Sequence, residues 1–158
     1  MDSKVELYLK RARTEMNMGI LLLESSGNKL LNEFDIPEDE TFYSGVISHC
    51  YYSIFYCAKA MLLTKNIDTK APEAHRKTLD SFKKEFIDTG VLDAKLFMIY
   101  KKMIVKAENL LQIFKSEKKK RGDFTYNTIS QANIEPANKS LKNAKIFFKH
   151  CNAYLNQK

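Results

Sequence analysis

Tryptophan is absent from this chain of 158 residues, and glycine (5) and proline (3) are scarce. So few breakers leave little room for the many tight turns of an all-β domain, and long segments of helical periodicity remain instead. Cysteine is sparse too. Cys50, Cys57 and Cys151 make an odd set whose spacings fit neither a disulfide framework nor a zinc site. Cys50 and Cys57 fall in one apolar helical stretch and read as small core hydrophobes. No run approaches the roughly 20 apolar residues of a membrane span. The opening MDSKVELYLKRARTE lacks the apolar stretch of a signal peptide. A cytoplasmic protein without a membrane partner is expected. Signatures of catalysis are also missing: no glycines cluster into a phosphate loop, and neither GxSxG nor HExxH occurs. Nor are there the ExxH pairs of a di-iron bundle. No metal and no cofactor are expected.

What the chain does have is positive charge and helical period. Lys and Arg number 26 against 19 Asp and Glu, a net charge of +7. Such a surplus favours polyanionic partners, although proteins without them share it. A hydrophobic fraction of 44% is enough to offset the entropy of ordering.

Ser3 and Glu6 have the spacing of a capping box, which opens a first helix on Val5, Leu9, Ala12, Met16, Ile20 and Leu23. Ser25-Ser26-Gly27-Asn28 ends it, and Leu30, Leu31 and Phe34 predict a short docking segment. Residues 39–64 predict a second helix, apolar on more than one face and so the most buried, with Gly45 and Ser48 leaving room for a neighbour. A third, residues 72–88, would carry Pro72 in its first turn, lie on Leu79, Phe82 and Phe86, and stop at Thr89-Gly90. The fourth starts near Asp93 and presents Leu96, Ile99 or Tyr100, Met103, Ala107, Leu110 and Phe114. It runs into Lys118-Lys119-Lys120-Arg121. A loop over residues 122–133 holds Phe124 and Tyr126. The last helix begins near Glu135-Pro136 and carries the seam Ala137, Leu141, Ala144, Phe148, Cys151 and Leu155. The expected fold is all-α: an up-and-down bundle of about five helices, four main ones plus a short docking segment, in a single domain over residues 1–158.

With helices placed, three segments show a likeness. Ser48-His49-Cys50-Tyr51-Tyr52-Ser53-Ile54-Phe55-Tyr56-Cys57-Ala58-Lys59-Ala60-Met61-Leu62 resembles the double-tyrosine helix of prokaryotic HEPN proteins, the higher eukaryotes and prokaryotes nucleotide-binding family. His75, then Phe82, Phe86 and Thr89-Gly90, repeat the family's order of a histidine and a phenylalanine-bearing helix closed by glycine. Arg121-Gly122-Asp123-Phe124-Thr125-Tyr126 resembles its arginine-headed motif, and Ser140-Leu141-Lys142-Asn143-Ala144-Lys145-Ile146-Phe147 its closing helix. The likeness runs over nearly the whole chain. It implies a helical bundle, commonly a homodimer, often paired with a small nucleotidyltransferase-type protein in a toxin–antitoxin module. It also implies metal-independent cleavage of RNA by an arginine and a histidine a few residues beyond it.

The chain departs from the family there. Tyr126 stands where the motif histidine is expected. A phenol of pKa about 10 is almost wholly protonated at neutral pH and makes a poor general base. The expectation is therefore an uncertain enzyme, an endoribonuclease of weak or absent activity that handles RNA or nucleotides. Arg121, whose planar fork grips phosphate, and Tyr126 would form the site. Lys118, Lys119 and Lys120 would bind nucleic acid beside Arg121, with His75 and Asp123 as auxiliaries. Tyr126 could also accept a nucleotidyl group, as a tyrosine near this motif does in some members.

Blander readings stand alongside. A basic run at a helix C-terminus complements the helix dipole. Phe124 and Tyr126 could pin a loop, and His49 could be purely structural. Tyr51, Tyr52, Phe55 and Tyr56 read as core and dimer-contact aromatics rather than a base-stacking platform. The alternative function is a non-catalytic helical dimerisation or interaction module.

Overall fold

The computed structural model describes residues 2–119 and 134–157. These form helices α1 (Ser3–Ser25), α2 (Tyr43–Leu63), α3 (Ala74–Phe82), α4 (Ala94–Lys119) and α5 (Ile134–Asn156), with no strand among them. A 3-10 helix, Lys29–Phe34, links α1 to α2, and α3 widens into a π turn over Lys83–Ile87. The all-α bundle is the fold the hydrophobic pattern implies.

Several boundaries differ from the sequence reading, each for a local reason. Asp2, rather than Ser3, caps α1: its carboxylate accepts from the Lys4 backbone N–H at 2.9 Å. The second helix starts at Tyr43, because the residues before it are tied to the end of α1. The Phe42 N–H donates to Ser26 Oγ and the Gly27 N–H to the Glu40 carbonyl, both at 2.9 Å. Pro72 lies outside α3. Glu73, the residue after it, adopts a left-handed φ of 59° that no helix interior accepts. In the segment read as docking, only Leu31 is buried, while Phe34 is 67% exposed.

The first two helices pack antiparallel in a fixed register. Moving up α1, the partners move down α2. Tyr8 stacks with Tyr56, the Ser53 hydroxyl donates to the Ala12 carbonyl, Glu15 meets His49, and Gly19 faces Cys50 and Val46. At the far end Gly45 faces Leu22; a Cβ there would come within 2.8 Å of Leu22 Cδ1. Small residues on both helices permit this approach, as foreseen for Gly45.

The helix α2 is the central one, burying Val46, Cys50, Ile54, Cys57 and Met61 completely. Phe82 and Phe86, Tyr100 from α4, and Phe147 and Tyr154 from α5 form an aromatic layer, with several edge-to-face pairs. Each such pair adds about 0.5–1.5 kcal/mol beyond area burial. Tyr100, not Ile99, is the fully buried member of the α4 stripe. Every seam residue predicted for the last helix is buried, and the Cys151 thiol points at the Cys57 carbonyl, 3.4 Å away.

Candidate functional site

The residues that the sequence singled out divide into two groups. Lys118 and Lys119 end α4 as backbone. Their side chains, together with Lys120, Arg121, Asp123 and Tyr126, lie outside the described residues. His75 lies inside them and is the second residue of α3.

The short α3 sets His75 against one face of α2. The imidazole stacks on Phe55 with centroids 4.1 Å apart and on Tyr51 at 5.6 Å, and meets Tyr52 edge-on at 5.9 Å. Its Nδ1 lies 2.6 Å from the Tyr51 hydroxyl. Burial pushes the His75 imidazole below its ordinary value, assisted by the charge of Lys59. Burial likewise pushes the Tyr51 phenol well above its own, with Tyr52 and Glu108 adding to the shift. Both groups are then neutral at pH 7. We assign the phenol as donor to Nδ1, which leaves the ring proton on Nε2.

Lys59 lies beneath this cluster, almost fully buried. Its ammonium donates to the Thr69 carbonyl at 2.7 Å, stands 4.8 Å from the Tyr8 ring centroid, and is 3.9 Å from Asp68. Asp68 also takes Lys4 at 2.5 Å and Lys70 at 3.6 Å. One carboxylate thus answers three ammonium groups, and the patch keeps a positive surplus.

A second cluster was not read from the sequence. Arg11 on α1 donates to the Tyr56 hydroxyl at 2.7 Å, and its guanidinium carbon lies 4.3 Å from the Tyr56 ring centroid. Tyr56 stacks between Tyr8, at 5.9 Å and 17°, and Tyr52, at 6.3 Å and 28°. Two turns along, the His49 Nδ1 meets the Glu15 carboxylate at 2.6 Å. The signal was present: Tyr8, Arg11 and Glu15 share a face of α1, and His49, Tyr52 and Tyr56 share one of α2. Antiparallel pairing superimposes the two triplets, and no single-helix reading reveals that. Tyr51 and Phe55 are core residues, as anticipated, whereas Tyr52 and Tyr56 reach the surface.

Among the described residues, no group of three or more His, Cys, Asp or Glu could hold a metal ion. None of the helices there is long and apolar enough to cross a membrane.

The family model described as HEPN domain matches residues 5–154. This chain belongs to the HEPN domain family. Two relatives come from Methanocaldococcus jannaschii. The protein named "Putative toxin MJ0142" is 52% identical over 56 residues, 35% of this chain and 36% of that protein. "Putative toxin MJ0605" is 33% identical over 104 residues, 66% of this chain and 69% of that protein. "UPF0332 protein PH1297" from Pyrococcus horikoshii is 32% identical over 90 residues, 57% of this chain and 51% of that protein. The chain spans little more than a third of the first relative's length and about half of the third's. No solved structure matches it.

Proposed function

We propose that this HEPN protein is a toxin-like member of a two-component module that acts on RNA, with weak or absent nuclease activity. The observation that carries the reading is the family match over residues 5–154, joined to two relatives whose names carry the word toxin. The net charge of +7 supports a polyanionic ligand. In this reading the chain is one cytoplasmic domain that works as a homodimer, and its partner is a small nucleotidyltransferase-type protein. Arg121 contacts phosphate, Tyr126 supplies a second polar group, and Lys118, Lys119 and Lys120 steer the nucleic acid. His75 and Asp123 assist.

Weak activity follows from the chemistry. Cleavage without a metal needs a base poised near neutral pH, and a phenol at position 126 is not one. His75 is committed through Nδ1 to Tyr51.

The test is RNA binding at two salt concentrations, followed by incubation without metal. Binding should fall steeply with salt, and Lys119→Glu should flatten the slope by about one counterion. Efficient cleavage abolished by Arg121→Ala would overturn the inactivity. Absence of binding at low salt would favour the alternative, a non-catalytic dimerisation module. Leu7, Met18 and Leu21, exposed along one side of α1, favour that second reading.

A further inference from the structure

We infer that the α1–α2 seam, formed by Tyr8, Arg11, Tyr52 and Tyr56 with His75 at its end, is a binding track for single-stranded RNA. This deepens the proposed function and rests on its choice of RNA as ligand. Tyr8, Tyr56 and Tyr52 form a series of near-parallel rings, with successive centroids 5.9 and 6.3 Å apart. His75 closes the series, its ring set edge-on to Tyr52 at 5.9 Å. Arg11 lies on Tyr56 as a cation over a ring. Among the described residues, Arg11 pairs with no carboxylate; its one polar contact is the Tyr56 hydroxyl. Rings that are partly open to solvent, with a guanidinium among them that no described carboxylate neutralises, suit sequence-tolerant recognition of unpaired bases. Each base has a π face to stack, and the cation meets the phosphate.

The charge around the track points the same way. Lys4, Lys59 and Lys70 converge on the single carboxylate of Asp68. With Arg11 they make four cations, set against Asp68, Asp2 near Lys4 and Glu15 near Tyr56. A second copy of the chain docked here about a two-fold axis would bring those cations near their own copies. The apolar residues open on α1, Leu7, Met18 and Leu21, lie on the adjoining side of that helix and suit a protein contact better.

The experiment uses the full chain and a short fluorescein-labelled oligouridylate, with anisotropy as the readout at low salt. Tyr52→Ser and Arg11→Ala should each weaken binding about tenfold, while Tyr52→Phe, which keeps the ring, stays within about twofold. An abasic oligomer of equal charge tests the wild-type protein itself and avoids any folding defect. It should bind about tenfold more weakly, since stacking is lost and phosphate contacts are not. Equal affinity for the abasic and the uridine oligomers overturns the track. So does unchanged RNA affinity in folded Tyr52→Ser and Arg11→Ala proteins, and in that case loss of binding in Arg121→Ala would leave the RNA reading standing. A wild-type protein that binds no RNA at low salt removes both. A Tyr52→Ser protein that loses a dimer by sedimentation but keeps its RNA affinity would assign this face to a second copy.

Discussion

The hydroxyl of Tyr51, on the central helix, and Nδ1 of His75, on α3, are 2.6 Å apart, and the imidazole lies flat against Phe55. The contact fixes a short helix on the long one, where burial and then the charge of Lys59 lower the pKa of the ring. Protonating His75 would put a cation where burial and Lys59 both oppose it.

Stability should therefore respond to pH through His75. Its folded pKa is lowered, so the unfolded chain binds the proton more readily. The stabilisation is complete above the unfolded value of about 6.5 and is lost as pH falls below it toward the folded value. Proton NMR should place the His75 midpoint below about 6.5. Thermal unfolding should show the melting temperature declining over that window, and His75→Gln should flatten the decline. A midpoint at or above the ordinary value would show that burial does not govern this ring.

Asp68 predicts a second, more acidic window. The Lys4 hydrogen bond, with the charges of Lys4, Lys70 and Lys59, holds its carboxyl below the usual carboxylate range, against an opposing effect of burial. With a lowered folded pKa, its contribution is present above about pH 3.9 and vanishes as pH falls through the folded value. Asp68→Asn should reduce stability at neutral pH and remove part of the acid dependence, as read from urea unfolding at a series of pH values. An unchanged acid limb in the variant would count against the lysine cluster.

Tyr100 should be improvable. Its hydroxyl is buried with no hydrogen-bond partner among the described residues, and burial pushes the phenol well above its ordinary value. An unsatisfied buried hydroxyl costs about 1–3 kcal/mol. Tyr100→Phe keeps the ring contacts with Phe82 and Phe147 and should leave stability equal or higher by about 1 kcal/mol. Tyr100→Ala should cost about 3–5 kcal/mol, as other buried aromatic truncations do. Denaturant midpoints check both, and a destabilised phenylalanine variant would reveal a partner for the hydroxyl.

Gly19 is a packing position. A Cβ there would meet Cys50 Sγ at 3.2 Å and the Val46 carbonyl oxygen at 3.7 Å. Gly19→Val brings two further methyl groups against the backbone of α2, and overpacking of this kind costs about 1–3 kcal/mol. Urea denaturation should show a lower midpoint with an unchanged slope. No loss of stability would mean that the two helices part easily.

The helices and their buried faces were legible because apolar period directly records burial. All six seam residues of the last helix are buried, and Cys50 and Cys57 lie in the core. Starts were harder, because caps are decided by a single side chain. Asp2 and Ser3 are both competent, and the geometry selects Asp2. Phe34 misled because an aromatic in a short segment resembles an anchor, yet Leu31 alone carries the burial. The Arg11–Tyr56 and Glu15–His49 contacts span 45 and 34 residues of chain and depend on register, which no local pattern encodes.

The alignment of α1 with α2 also constrains how the chain can vary in length. Each residue advances a helix by about 100°. Deleting one between Tyr8 and Leu22 would swing everything on one side of the cut off its partner, separating the arginine from its ring or the carboxylate from its imidazole. Side chains along the pair can be exchanged one at a time. The count of residues between them cannot, so in this stretch natural variation should consist of substitutions, with insertions and deletions diverted to the connectors.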